Sequence, residues 1–284
     1  MQLNERAVLY IPDGEKESAA LERVTHLAVA AHQDDIEFMA YAPIADCFGR
    51  TDLWFGGVVV SDGAGSPRKG LYADYTDEDM KKIRVTEQKK AAFVGEYGAQ
   101  FMLGYPSSQV KDPDDTKIAE ELTRIFRAAN PRFVYTHNIA DKHDTHLGTA
   151  MKVIAALREL EKDEMPERVF GCEVWRDLDW LCDEDKIYLD TSAHPNIARA
   201  LSAVFDSQIL GGKRYDIAAE GRRCANATYS ESHACDTHEG LNYAMDLTPL
   251  ILDKKLKVSD FISAHIKKFE RTVREKAAYY AKED

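Results

Sequence analysis

No stretch of the 284-residue chain approaches the ~20 consecutive apolar residues that a bilayer-spanning helix needs. Met1 to Glu17 carries charges where a secretory leader would need its apolar centre, so neither export nor membrane anchoring is expected, and a cytoplasmic location is. Cysteine is sparse: Cys47, Cys172, Cys182, Cys224 and Cys235 form an odd, scattered set with no CxxC pair, which suits a reducing compartment better than a disulfide framework. Positive charge is in deficit. Lys plus Arg number 37 against 49 Asp plus Glu, a formal charge of -12 that repels phosphate backbones and argues against nucleic acid as a partner. Neither GxGxxG nor GxxxxGK[ST] occurs, so nucleotide binding has no support. Without a leader, Asn226-Ala-Thr228 is a chance glycosylation pattern.

Hydrophobic residues make up 44% and charged residues 30%, a mixture that folds around a core rather than staying disordered. Short continuous apolar runs at Leu27–Ala31, Phe55–Val60 and Phe133–Tyr135 predict strands covered on both faces, as in a parallel sheet. Between them lie helical periods. Ile118, Leu122, Ile125 and Ala129 recur every three or four residues before Asn130-Pro131 stops the run, and the segments 83–97 and 147–157 read similarly. A further strand is expected at Ile187–Asp190, and a helix from Pro195, with Ile197, Leu201 and Val204 on one face, up to Gly211-Gly212. A last helix from Ser259 spaces Ile262, Ile266, Phe269, Val273 and Tyr280 to pack across the domain or against another subunit. Such alternation predicts an α/β fold, a Rossmann-like, mainly parallel sheet with helices on both faces and a C-terminal helical elaboration. No linker or repeat divides the chain, so residues 1–284 are read as one domain.

Two polar clusters follow predicted strands, where open α/β sheets place their ligands. After the first run comes His32-Gln-Asp-Asp-Ile-Glu37: His32 and Asp35, three apart, can aim at one ion, leaving Asp34 free to act as a base. After Phe133–Thr136 comes Asp141-Lys-His-Asp-Thr-His146, in which either His143 or His146 can complete a metal site while the other faces substrate. Two histidines and one aspartate leave a coordination position open, the arrangement of a catalytic zinc site. Glu87 falls on a buried helical stripe and is read as structural support beside the glycine-containing loop. His233, Cys235 and His238 lack structural-zinc spacing and read as an exposed loop. Trp175 and Trp180 are read as packing near a sheet edge, with sugar stacking as the alternative.

Ala31-His-Gln-Asp-Asp-Ile-Glu37 resembles the AHPDD-x-E signature of the LmbE/PIG-L zinc-dependent deacetylases, and His143-Asp-Thr-His146 resembles their HPDH motif. Asp62–Arg68 is similar to the family's glycine-containing loop, Arg84 with Glu87 to its R-x-x-E, and Phe205–Gln208 to its H-x-S-Q element. The resemblance spans about residues 24–230; nothing beyond about 240 matches. It implies His32, Asp35 and His146 as metal ligands, Asp34 as general base, His143 as helper at the oxyanion and leaving amine, and Arg68 and Asp141 at the substrate. It further implies one zinc per chain, or another divalent ion, and a small N-acetylated amino sugar or conjugate as substrate. Family members often assemble as homo-oligomers, with which the C-terminal helix is compatible.

This sequence departs from the family at three places. Gln33 stands for proline, Asp144-Thr145 for Pro-Asp, and Phe205 for histidine. The second change moves the acidic residue that would hold the ligand histidine, leaving Asp144 or Asp141 to take its place. A zinc hydrolase of a non-sugar amide or ester, and a metal- or sugar-binding homologue without turnover, remain alternatives on the same residues.

Overall fold

The computed structural model describes residues 1–283 and assembles eight strands into one sheet. These are β1 (Val8–Tyr10), β2 (His26–Ala30), β3 (Phe55–Ser61), β4 (Ala99–Tyr105), β5 (Phe133–His137), β6 (Arg168–Cys172), β7 (Lys186–Asp190) and β8 (Leu241–Asp246). Their spatial order is β1-β4-β3-β2-β5-β6-β8-β7. The central pairs β4–β3, β3–β2, β2–β5 and β5–β6 are parallel. β1 closes one edge antiparallel to β4, while β8 runs antiparallel to both β6 and β7. Every residue of β2 and β3 is buried, which is why their sequences read as unbroken apolar runs instead of alternating.

The helices before β5 are α1 (Glu17–Glu22), α2 (Asp35–Met39), α3 (Tyr41–Cys47), α4 (Asp77–Val94), α5 (Ser107–Val110) and α6 (Lys117–Ala129). After it come α7 (Asp144–Arg158), α8 (Pro195–Ala203), α9 (Asp206–Ile209), α10 (Tyr215–Tyr229), α11 (Thr248–Leu252) and α12 (Val258–Ala281). One face of the sheet is covered by α1, α6, α7 and α11, through Leu21, Leu122, Phe126, Val153, Leu157 and Leu250 among others. The other packs Ile36, Ile44, Ala91 and Leu201, from α2, α3, α4 and α8. Local chemistry sets the boundaries. A reciprocal capping box between Thr76 and Asp79 opens α4, so this helix begins six residues before the apolar stripe that predicts it. Asn130, in a left-handed conformation (φ 43°), ends α6 before Pro131.

The sheet is α/β and mostly parallel, as expected, but three elements differ from the sequence reading. The helix predicted from Pro195 to Gly211 breaks at Val204-Phe205 into α8 and α9. The last forty-odd residues are not purely helical: β8 is inserted between β6 and β7, so the C-terminal extension shares the sheet. The helix expected from Leu147 starts at Asp144, which puts His146 in its first turn and His143 at its N-cap. No helix among the described residues is long and apolar enough to cross a membrane.

The chain proceeds from β2 through β3 to β4 in one direction, then returns to lay β5 on the opposite side of β2. Strand order therefore reverses between β2 and β5, and the crevice outside the carboxyl ends of these two strands is where such a sheet binds ligands. His32 to Asp35 leave β2 there, and Asp141 to His146 leave β5 there.

Candidate metal centre and catalytic cleft

Three donor atoms converge at the switch point. His32 Nδ1 lies 3.0 Å from Asp35 Oδ2 and 3.2 Å from His146 Nε2, and His146 Nε2 lies 3.2 Å from Asp35 Oδ2. Ligands bonded tetrahedrally to zinc at ~2.0–2.1 Å sit about 3.3–3.4 Å apart, so this triangle fits a small divalent cation. Each ligand is held from behind. The His32 backbone N–H donates to Asp35 Oδ2 (2.8 Å), and Asp141 Oδ2 accepts from His146 Nδ1 (3.0 Å), turning Nε2 of His146 inward. Burial works against the Asp35 charge, yet the imidazoles of His146 and His32 hold its carboxyl well below the usual range. Burial likewise disfavours a charged His146, but Asp35 and Asp141 carry it up to about 10. A cluster that draws a proton this strongly is one that a divalent cation can satisfy instead.

His137, which ends β5, is missing from the sequence reading and forms a second donor group with Asp35 and His146. Its ring stacks on His146 (centroids 3.8 Å apart, 19° between planes), and its Nε2 is 3.5 Å from Asp35 Oδ2. That nitrogen already accepts a hydrogen bond from Ala31 N–H (2.8 Å), so its lone pair is engaged, whereas His32 Nδ1 has no such backbone donor. The His32–Asp35–His146 set is the better cation site. His137, neutral because burial and the neighbouring His146 depress its pKa, is a stacking support. A histidine closing an apolar strand reads as core, and only its place on the strand next to β2 could have signalled it.

Asp34 lines the same cleft at φ 94°, a conformation that a non-glycine residue holds only under constraint. The constraint is visible: Arg84, fully buried, pairs with Asp34 Oδ2 at 3.1 Å and donates to the Gln33 carbonyl. Burial raises the Asp34 carboxyl to about 7; Arg84 opposes the rise, and Asp35 and Glu37 add to it. A proton can therefore enter or leave this group near neutral pH, as a general base requires. Arg84 also reaches Glu87 (3.4 Å), whose carboxylate accepts from Ser207 N–H (2.6 Å) and Ser207 Oγ (2.7 Å). This chain ties α4 to α9. Gly63 packs against it; a Cβ there would come within 2.6 Å of Gln33 Oε1 and 3.1 Å of Arg84 Cγ, and its φ is +73°. Glu87 is thus the support beside the glycine loop that its buried position suggests.

His143 is half-buried, edge-on to His32 (5.0 Å) and stacked toward Trp175 (6.2 Å, 20°). Burial, and then the charges of His146 and His32, push its pKa down, which favours the neutral ring. The cleft it faces holds about 290 Å³ and is lined also by Phe38, Ser66, Ser107, Lys111, Trp175 and Tyr215. Two expected substrate contacts lie elsewhere. Arg68 donates to the Ala64 carbonyl and to Asp77, away from the cleft lining, while Arg84 takes the lining position. Asp141 is 3% exposed and engaged with His146 Nδ1 and His143 N–H (3.0 Å), so it holds a ligand rather than meeting substrate. It fills the role that Asp144-Thr145 left open. Trp175, read as packing, lines the cleft, whereas Trp180 packs against the core. Phe205, where the family has a histidine, is fully buried beside Phe38 and Arg84.

Residues 27–157 match the family model described as PIG-L, GlcNAc-PI de-N-acetylase. No curated protein matches. Among solved structures the fold is similar to N,N'-diacetylchitobiose deacetylase from Pyrococcus horikoshii, with a TM-score of 0.65 at 12% identity, covering 84% of this chain and 88% of that one. It is also similar to the A40926 pseudoaglycone deacetylase (TM-score 0.55, 17% identity, 79% and 97% covered). A third, 4-carboxy-2-hydroxymuconate hydratase from Pseudomonas putida KT2440 (0.57, 18%, 79% and 96%), carries the same fold under a different reaction name. The matched segment runs from β2 to the penultimate residue of α7 and holds both candidate ligand clusters, so the PIG-L, LmbE-like family match falls on the part of the chain that carries the site.

Proposed function

We propose that this protein is a metal-dependent N-deacetylase that hydrolyses the acetamide of an amino sugar or its conjugate, with zinc as the metal. The observation that carries the reading is the triangle of His32 Nδ1, Asp35 Oδ2 and His146 Nε2, 3.0–3.2 Å on each side, with a buried carboxyl, Asp34, beside it at the floor of an open cleft. A zinc ion held by those three side chains would supply Lewis acidity, lowering the pKa of a water toward ~7 and polarising the amide carbonyl.

The residues of the chain do the rest. Asp34, with its carboxyl near neutrality, accepts the proton of the attacking water, and Arg84 holds that carboxyl in place at 3.1 Å. His143, neutral and with Nδ1 lacking a partner among the described residues, faces the cleft and donates to the oxygen on which negative charge develops. Asp34, once protonated, stands ready to return its proton to the departing amine. Asp141 keeps His146 in one tautomer and orientation throughout.

Elemental analysis of the protein and a His146→Ala variant, followed by an acetate-release assay on N-acetyl sugars, tests the reading. About one zinc per chain is expected, with metal and activity lost together in His146→Ala. Asp34→Asn is expected to keep the metal and lose roughly 10²–10⁴-fold in kcat. An Asp34→Asn protein with unimpaired turnover removes the base assignment, and a protein that takes up no divalent ion removes the hydrolase reading.

A further inference from the structure

We propose that the cleft selects substrates bearing a negative charge, a phosphate or a carboxylate on the N-acetylated molecule, and that Lys111, Lys142 and Lys213 bind this charge around Trp175. The proposal deepens the deacetylase reading and rests on it for turnover, though not for binding.

Trp175 lines the cleft next to His143. The Lys142 ammonium lies 5.4 Å from the centre of its ring and that of Lys213 lies 5.6 Å away, both within the range of a cation–π contact. Lys111 lines the same cleft beside Ser107. The three come from separate parts of the chain: Lys111 caps the end of α5, Lys142 precedes His143 in the β5–α7 connection, and Lys213 lies between α9 and α10. Lys142 and Lys213 meet over Trp175, which lines the cleft together with Lys111, a juxtaposition that the fold makes and the sequence does not show.

Charge makes the meeting informative. The chain carries 49 acidic against 37 basic residues, and several cations near the cleft are neutralised. Arg68 pairs with Asp77, Lys81 with Asp62 and Glu78, and Arg84 with Asp34 and Glu87. Lys111, Lys142 and Lys213 have neither an ion pair nor a side-chain hydrogen bond among the described residues. An aromatic face holds two of them in place without cancelling their charge. Lysine offers a compact, rotatable point charge, and a concave wall strengthens its pull on an incoming anion. Asp144, the nearest acidic neighbour of His143 in sequence, lines the groove between α6 and α7, which Lys111 borders as well as the cleft. Trp175 lies beside His143 in the cleft lining, so a charged group held by the lysines over its ring sits next to the candidate site.

The test uses zinc-loaded protein in two arms. In the first, kcat/KM is measured for N-acetylglucosamine and N,N'-diacetylchitobiose against N-acetylglucosamine 1-phosphate, the 6-phosphate and N-acetylmuramic acid, which separates phosphate from carboxylate. At least one anionic compound is expected to exceed the neutral ones tenfold, and a Lys142→Gln/Lys213→Gln variant to lower that ratio at least fivefold through KM. A Lys142→Arg/Lys213→Arg variant, which keeps the charge, should restore most of it. In the second arm, calorimetry compares glucosamine 6-phosphate and glucosamine as ligands of the parent and the glutamine variant. If no acetate appears from any compound but the sugar phosphate still binds in a lysine-dependent way, the deacetylase reading falls and the anion site stands. If the glutamine variant matches the parent for anionic and neutral compounds in both arms, the anion site is overturned.

Discussion

At the scale of the residue, the chemistry rests on buried carboxyl groups whose environments drive them apart. Asp35, facing two imidazoles, is held ionised; Asp34, 4% exposed and beside Asp35, rises to about 7. A third group, Glu173, follows β6 and accepts from Arg176 N–H (2.9 Å) through one oxygen, while the other has no partner among the described residues. Burial, reinforced by the Asp141 charge, raises its carboxyl from 4.5 to about 8. Between those two values the folded state keeps a proton that the unfolded chain has released, so Glu173 makes stability fall as pH rises from 4.5 to about 8, by a few kcal/mol at most. Glu173→Gln retains the acceptor for Arg176 and removes the titration. Its urea midpoint is expected to match the parent near about pH 5 and to exceed it increasingly up to about pH 8.5; parallel curves across that range would show that Glu173 is ionised in the fold. His32 and Asp35, and the pair His143 and His146, were legible as candidate ligands because each cluster follows a strand that reads as apolar, while the choice of His146 over His143 came from the family resemblance. The partners that tune them were not: Arg84 reaches back some fifty residues to Asp34 and Gln33, and no spacing rule connects them.

At the scale of the element, legibility tracked burial on both faces. β2, β3 and β5 announce themselves as apolar runs, whereas β1 is three half-buried residues and β4 contains the buried Gln100 and the half-buried Gly104, so neither shows a clean run. β8 was hidden by its position after the last recognisable motif, although Leu241 to Met245 are all buried. Helix packing was equally hidden, and one glycine exposes it. Gly148 sits inside α7, where a Cβ would lie 2.5 Å from the Val110 carbonyl at the end of α5. Alanine is the better helix former by ~1 kcal/mol, but forcing α7 off the α5 backbone costs about 1–3 kcal/mol, so the clash decides the sign. Gly148→Ala is expected to lower stability by roughly 1–2 kcal/mol in urea denaturation. Gly221, in the exposed middle of α10, has nothing within 4 Å of its Cβ position. Gly221→Ala is expected to raise stability by about 0.5–1 kcal/mol. The same substitution with opposite signs in two helices separates packing from propensity; equal effects at both positions would mean that α5 and α7 are not in close contact.

At the scale of the whole molecule, the domain is built outward from the switch between β2 and β5, and its least integrated part is α12. This helix of 24 residues, about 36 Å long, contains no fully buried residue. Its first turns dock: Val258, Phe261 and Ile262 pack against the core, and Lys268 Nζ bonds Asp185 Oδ2 (2.6 Å) and Glu184 Oε1 (3.0 Å). The last attachment is Thr272, whose Oγ1 is 3.9 Å from Cys182 Sγ. Beyond it Val273, Tyr279 and Tyr280 are 48%, 78% and 81% exposed, and Ile266 before it is 47% exposed, so of the stripe read from sequence as one packing face only part is covered. Exposed ion pairs and solvated turns contribute little, whereas each half-buried aliphatic or aromatic group contributes on the order of 1 kcal/mol. A chain stopped after Thr272 is therefore expected to melt within about 2 °C of the parent. One stopped after Leu256 loses the three docked side chains and should melt roughly 5–10 °C lower. Light scattering on the same samples gives the complementary reading. If the shorter truncation keeps its melting point and its mass per particle, the distal turns carry no contact that matters; if both fall together, a second copy of the chain covers Val273 to Tyr280, and the stripe is an interface after all.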